Sequence, residues 1–205
     1  METKIIYPDG DVVLCNGTGD SAERFLVSTI FLKNASKVFT AMFSDRFAEG
    51  QKLSSAKPPD VVLEQDKVLG VLLGILHLYH DDMPSNMTIN DLRALAVLAD
   101  KYGCVNAIMP ACSGWSMAHR SQMPDSGDKI ILVEVAFLLN DARNFRYWTM
   151  RLAKQEEKQI TASPDCRVSG GCLREWISGM PLLAFANAHS FHRAPAGLSA
   201  KNARY

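Results

Sequence analysis

The sequence predicts an α+β fold, with a small mixed β-sheet capped by a cluster of five or more α-helices and a C-terminal helical extension. Three observations predict it. The runs that read as β-strands are confined to residues before 65. Beyond that point, to about residue 155, apolar residues recur three and four apart, the spacing of a helix face. Few strands then precede many helices, the order expected when helices gather on one side of a sheet. The 205 residues suit one domain, or one domain with a smaller annex, and 47% apolar content is enough for a packed core.

The elements follow in order. Residues 11–16, Asp-Val-Val-Leu-Cys-Asn, read as a strand that meets Asn16-Gly17, a pair that tolerates positive φ and signals a short hairpin. Glu23 to Val27 is the return strand. Two short helices come next. Ser28 or Thr29 can cap the first, over Ile30 to Lys33. Ser36 can cap the second, in which Val38, Phe39, Met42 and Phe43 share a face. Residues 54–59, with two prolines, break structure before a short strand over Val61 to Glu64.

Asp66 can cap a helix reaching about Tyr79. Leu69, Leu72, Leu73 and Leu76 line one face, and Val68, Val71, Ile75 and Leu78 another. A helix apolar on both faces is buried twice or meets a partner. Asp81 to Asn86 reads as a loop. Asn90 caps the next helix, with Leu92, Leu95, Ala96, Ala99 and Tyr102 inward and Gly103 as its left-handed C-terminal cap. A further helix covers Val105 to Met117, with Pro110 as a candidate kink. Pro124 to Asp128 reads as a linker. Residues 129–155 are helical again, with Leu132, Val135, Leu138, Leu139 and Ala142 on one side and Phe145, Tyr147 and Trp148 on a second segment. Short helices at Leu173–Ile177 and Leu182–Ala188 are the only order expected in the breaker-rich remainder.

Composition narrows the function. Lys and Arg total 22, Asp and Glu total 22, and the sequence pI is near 6.9. There is no Lys/Arg-rich cluster in sequence, so neither nucleic acid nor a membrane surface is an expected partner. The N-terminal stretch lacks the apolar core of a signal peptide, and the longest apolar run, Val68 to Leu76, is about half a membrane span. The chain reads as cytoplasmic, nuclear or both. The five cysteines, Cys15, Cys104, Cys112, Cys166 and Cys172, are scattered and odd in number, the pattern of free core thiols.

Chemistry-bearing patterns are weak. His77 and His80 beside Asp81 and Asp82 read better as the polar end of an apolar helix than as a metal site. Cys166 and Cys172 before His189 and His192 have the wrong spacings for a zinc module. There is no nucleophile elbow and no phosphate loop. No catalytic residue, cofactor, metal or small-molecule substrate is expected, and a small enzyme is the remote alternative.

Two segments carry a family resemblance. Phe25 to Phe43, with its Ser36-x-x-Phe39-x-x-Met42-Phe43 pattern, resembles the BTB/POZ signature, and Asp11-Val12 matches the pair that opens that family's core hairpin. Leu95 to Gly103, reading LAVLADKYG, resembles the fourth main helix of BTB domains, above all those of fungal type. The resemblance implies a BTB/POZ domain over 9–120; the order of elements then makes 129–155 a helical extension, and composition makes 156–205 an irregular, partly disordered tail. The resemblance leaves room for a small strand at Ile5 to Tyr7. It implies a non-enzymatic module that docks protein partners and forms a homodimer through a groove at Asp11, Ile30 and Phe31. The basic residue that pairs with the acid in many family members is replaced by Ser28 and Thr29, which points away from corepressor recruitment. Phe47-Ala48-Glu49 is similar to the apolar-x-Glu motif by which BTB adaptors contact a cullin-type ubiquitin-ligase scaffold, so Phe47 and Glu49 are the candidate contacts of the alternative function, a ligase substrate adaptor.

Overall fold

The computed structural model describes residues 2–19, 22–79 and 83–155. Four short strands form one mixed sheet: β1 (Thr3–Ile5), β2 (Val12–Asn16), β3 (Glu23–Val27) and β4 (Asp60–Leu63), in the order β1-β3-β2-β4. β2 and β3 are antiparallel, with Leu14 opposite Phe25, while β1 on β3 and β4 on β2 are parallel. All five residues of β2 are buried, so this strand has neighbours on both edges and cover on both faces. That explains why its sequence is apolar without alternation. β4 does alternate, with Val61 and Leu63 inward and Asp60 and Val62 outward.

Arg24 on β3 ties the sheet together. Its guanidinium makes a two-pronged bond to the Asp60 carboxylate of β4 at 2.8 and 2.7 Å, and its Nε donates to Thr3 Oγ1 of β1 at 3.2 Å. Asn16 does the same for a loop. Its side-chain amide donates to the Asp66 carbonyl at 2.9 Å and accepts from the Asp66 N–H at 2.7 Å. Asn16 is therefore the last residue of β2 and not part of a two-residue turn. The link to β3 runs from residue 17 to 22, longer than Asn16-Gly17 alone suggests.

Eight α-helices and one 3-10 turn occur among the described residues. They are α1 (Thr29–Ala35), α2 (Lys37–Met42), α3 (Ala48–Gln51), α4 (Leu69–Leu76), α5 (Ile89–Lys101), α6 (Val105–Ala118), α7 (Ser126–Leu138) and α8 (Ala142–Gln155), with the 3-10 turn over His119–Gln122. The α+β class and the sheet-then-helices order stand as expected. Several boundaries differ for physical reasons. The N-terminal strand is Thr3–Ile5 rather than Ile5 to Tyr7, because Ile6 and Tyr7 both turn their N–H groups to the Leu26 carbonyl as the chain leaves the sheet. α5 is capped by Thr88, not Asn90. Thr88 Oγ1 accepts from the Asp91 N–H at 3.1 Å, capping the helix, and donates to the Asp91 carboxylate at 2.8 Å, which holds the hydroxyl in place. The expected linker at Pro124 to Asp128 is mostly helix start, since Asp125 caps α7 by accepting from the Asp128 N–H at 2.8 Å. Val38 and Ala142 face solvent rather than the core. α4 ends at Leu76 because Leu78 adopts a left-handed φ of 55°.

One cluster of buried apolar residues runs from Ile6 to Leu152. Leu132, Val135, Phe145 and Trp148 belong to it together with Leu14, Phe39 and Leu95, so α7 and α8 bury their apolar faces in the same core as the sheet and α5. Trp148 also donates its indole N–H to Ser116 of α6 at 3.1 Å. The short helices expected at Leu173–Ile177 and Leu182–Ala188, and the irregular tail, lie outside the described residues.

Candidate interaction surface

The two segments that carry the family resemblance meet in space. Ser36 accepts from the Phe39 N–H at 3.0 Å, capping α2, and donates its hydroxyl to the Tyr102 carbonyl at the end of α5. The Phe39 ring stacks on Tyr102 with centroids 4.7 Å apart. Gly103 has φ +62°, the left-handed C-terminal cap that the sequence anticipates, and this turn releases the chain beside Val38. These residues build the core under the first two helices.

Asp11 sets the start of α1. Its carboxylate accepts from the Thr29 N–H at 2.7 Å and from the Thr29 hydroxyl at 2.6 Å. Ser28, the residue before the helix, makes no side-chain cap. Capping normally comes from the preceding side chain. Here it comes from a residue 18 positions earlier, across the sheet. Thr29 thus takes both oxygens of the Asp11 carboxylate.

Around α1 lies an aromatic trio. Phe31 packs its ring 5.2 Å from Tyr7 and 5.2 Å from His77. His77 is buried and bound on both nitrogens. Nδ1 lies 2.8 Å from the Leu73 carbonyl and so carries the proton, and Nε2 accepts from the Ser28 N–H at 3.1 Å. Burial lowers its pKa below the ordinary 6.5, only partly offset by the Leu73 and Ser28 carbonyl oxygens near its two nitrogens and by the Asp11 charge, which favour the protonated ring. Ile30 and Leu78 flank this trio in sequence, 67% and 70% exposed. Isolated aliphatic side chains on a surface need no explanation of their own; these two adjoin, in sequence, the half-buried Phe31 and the buried His77. The sequence alone points to Asp11, Ile30 and Phe31 here, and not to Tyr7, His77 or Leu78. The signal available for Leu78 was its place on the second apolar side of α4.

Phe47 and Glu49 occupy a separate turn. Phe47 is the extended residue before α3 and is 51% exposed, with Ala48 and Glu49 also at the surface. Gly50 seats this turn against the end of α2, where a Cβ would collide with the Ser44 carbonyl oxygen. This turn thus exposes an apolar ring and, two residues on, an acid.

Other candidate groups have structural roles. Cys104 and Cys112 are buried thiols whose pKa values burial pushes up to about 12, far from the thiolate form that reacts or binds metal. Cys15 is buried in β2 and also raised, first by burial and then by the Asp60 charge. An open depression of about 390 Å³ lies between the start of α5, His119, Gln122 and Asp128. Both His119 nitrogens are taken, Nε2 by the Met87 carbonyl at 2.8 Å and Nδ1 by the Gln122 amide at 2.9 Å. His80, Asp81, Asp82, Cys166, Cys172, His189 and His192 lie outside the described residues. Among the described residues, no group of three or more His, Cys, Asp or Glu is placed to hold a metal, and no helix is long and apolar enough to cross a membrane.

No family model matches the chain, and no curated protein matches it in sequence.

Proposed function

We propose that this chain is a non-enzymatic BTB/POZ-type protein-interaction module that self-associates through the face built on α1. The observation that carries the reading is the cluster of Tyr7, Phe31 and His77 around α1, whose start Asp11 fixes, with the exposed Ile30 and Leu78 next to Phe31 and His77 in sequence. The direct packing of Ser36 and Phe39 against Tyr102 supports the family reading, because the two resembling segments form one structural unit.

The gain available from burial is of the same size as the cost of association. Fully burying an Ile or Leu side chain stabilises by about 1.5–3 kcal/mol. In a two-fold dimer each residue acts twice. Ile30 and Leu78 together then supply about 6–12 kcal/mol gross, against an association cost of about 4–15 kcal/mol. An Ile30→Glu substitution at this exposed site leaves the circular dichroism spectrum unchanged and weakens self-association at least tenfold. Unchanged association sinks the proposal.

A second reading is favoured by Phe47. Half-exposed aromatic rings on a fixed turn are hot-spot material, and the adjacent acid orients a partner. Under this reading the module also docks a cullin-type scaffold, as a ligase adaptor does. Immobilised cullin N-terminal region retains the unmodified chain and loses it on the double change Phe47→Ala and Glu49→Ala. Absence of retention by the unmodified chain removes this reading and leaves the self-association reading intact.

A further inference from the structure

The charge of this chain is unevenly placed. Residues 1–141 hold twelve basic and eighteen acidic residues, whereas α8 holds four basic residues, Arg143, Arg146, Arg151 and Lys154, and no acid. The 3.6-residue period of the helix sorts them. Asn144, Phe145, Trp148, Thr149 and Leu152 are buried, while Arg143, Arg146 and Arg151 are exposed. Asp141, the one acid at the start of α8, is turned inward and bound to the Asn144 N–H and side-chain amide at 3.0 and 2.7 Å.

Tyr147 organises the cations. The Arg120 guanidinium lies 3.9 Å from its ring centre and the Arg151 guanidinium 5.4 Å from it. Arg120 is held further by a 2.7 Å bond from Nη2 to Asn144 Oδ1. Arg24, Lys67, Arg93 and Lys101 are joined to acids in ion pairs that involve none of Arg120, Arg143, Arg146 and Arg151. Arg143 and Arg146 also sit near the positive end of the α8 dipole, where a helix disfavours cations. Solubility alone does not call for this placement, since mixed charges serve it as well.

We infer that the exposed face of α8, with Arg120 stacked beside it on Tyr147, docks a short acidic peptide segment of a partner protein. Charge complementarity selects the occupant. Arginine presents a planar fork that matches a carboxylate with two parallel bonds. Arg143 and Arg151 are eight residues apart, about 12 Å along the helix, the reach of about four residues of extended chain. Nucleic acid fits less well. A phosphate backbone continuing past this helix runs onto an acidic body. Guanidinium groups already flank the Tyr147 ring, so it does not offer a base-stacking platform. This surface is independent of the self-association face, and failure of either proposal leaves the other standing.

The test is fluorescence anisotropy on the full chain with a fluorescein-labelled peptide of alternating glutamate and glycine. Saturable binding that weakens with added salt is expected, with none for the glutamine counterpart. The triple variant Arg143→Gln, Arg146→Gln, Arg151→Gln should bind about tenfold more weakly at an unchanged melting temperature. Should that variant not fold, the three single variants carry the test, each weakening binding about two- to fivefold, while Lys67→Gln has no effect. No saturable binding, equal binding by the variants, or tighter binding of an oligothymidylate of equal formal charge overturns the inference.

Discussion

Asp11 holds the start of α1 through two short bonds to Thr29, and removing its carboxylate leaves a half-buried N–H without its partner. Asp11→Ala should cost about 1–2 kcal/mol, the size of a lost helix cap, read by urea denaturation. An effect below a few tenths contradicts the capping role. His77 makes a pH prediction. Its folded pKa lies below the ordinary 6.5, so the unfolded chain takes up the proton first. Stability from this group is complete above about pH 6.5 and falls as pH drops below it, by up to about 1.4 kcal/mol per unit. Between about pH 7.5 and about pH 5.5 the wild-type melting temperature should therefore fall further than that of His77→Gln. Parallel slopes contradict this. At this scale the sequence was legible in identity and less so in role. Asp11 stood out, but which donor would come within reach of it depends on how the hairpin crosses the start of α1. Asn16 was read as a turn former, and its amide instead pairs with Asp66, 50 positions away.

Three helices end by one device. Leu78, Gly103 and Asn140 each adopt positive φ, and in each case the next residue donates back to a carbonyl five positions earlier. Glycine fits this place without strain and leucine does not, since its Cβ approaches the preceding turn. Leu78→Gly should thus raise stability by about 0.5–1 kcal/mol. The same change removes an exposed apolar group from the proposed contact face and should weaken self-association. Opposite signs in the two measurements are the expected result, and equal loss in both contradicts the assignment. The cap at Gly103 was readable because the residue matches the conformation. The end of α4 was not, because a leucine in that conformation carries no sequence signal, so the helix was expected to reach Tyr79. The hairpin pairing and the capped start of α2 were readable from local chemistry. The order of strands in the sheet was not, because the parallel pairs β1-β3 and β2-β4 depend on contacts far apart in sequence.

The apolar core is continuous from Ile6 to Leu152, so α7 and α8 are expected to melt with the sheet in one transition. Trp148→Ala removes a fully buried ring and its bond to Ser116, and should cost about 3–5 kcal/mol while keeping that single transition. Two separate transitions contradict a shared core. Periodicity located the helices of residues 129–155 but not their common core with the sheet, because packing partners are set by the whole fold. The basic face of α8 was equally hidden, being a property of 3.6-residue spacing rather than of a charged run or of net charge. The central claim is that this molecule is an interaction module that pairs with itself through α1. Sedimentation equilibrium of the unmodified chain tests it most directly. The account predicts a mass of twice 22.6 kDa at about 50 µM, with dissociation on dilution. A mass of 22.6 kDa across that whole range would contradict it.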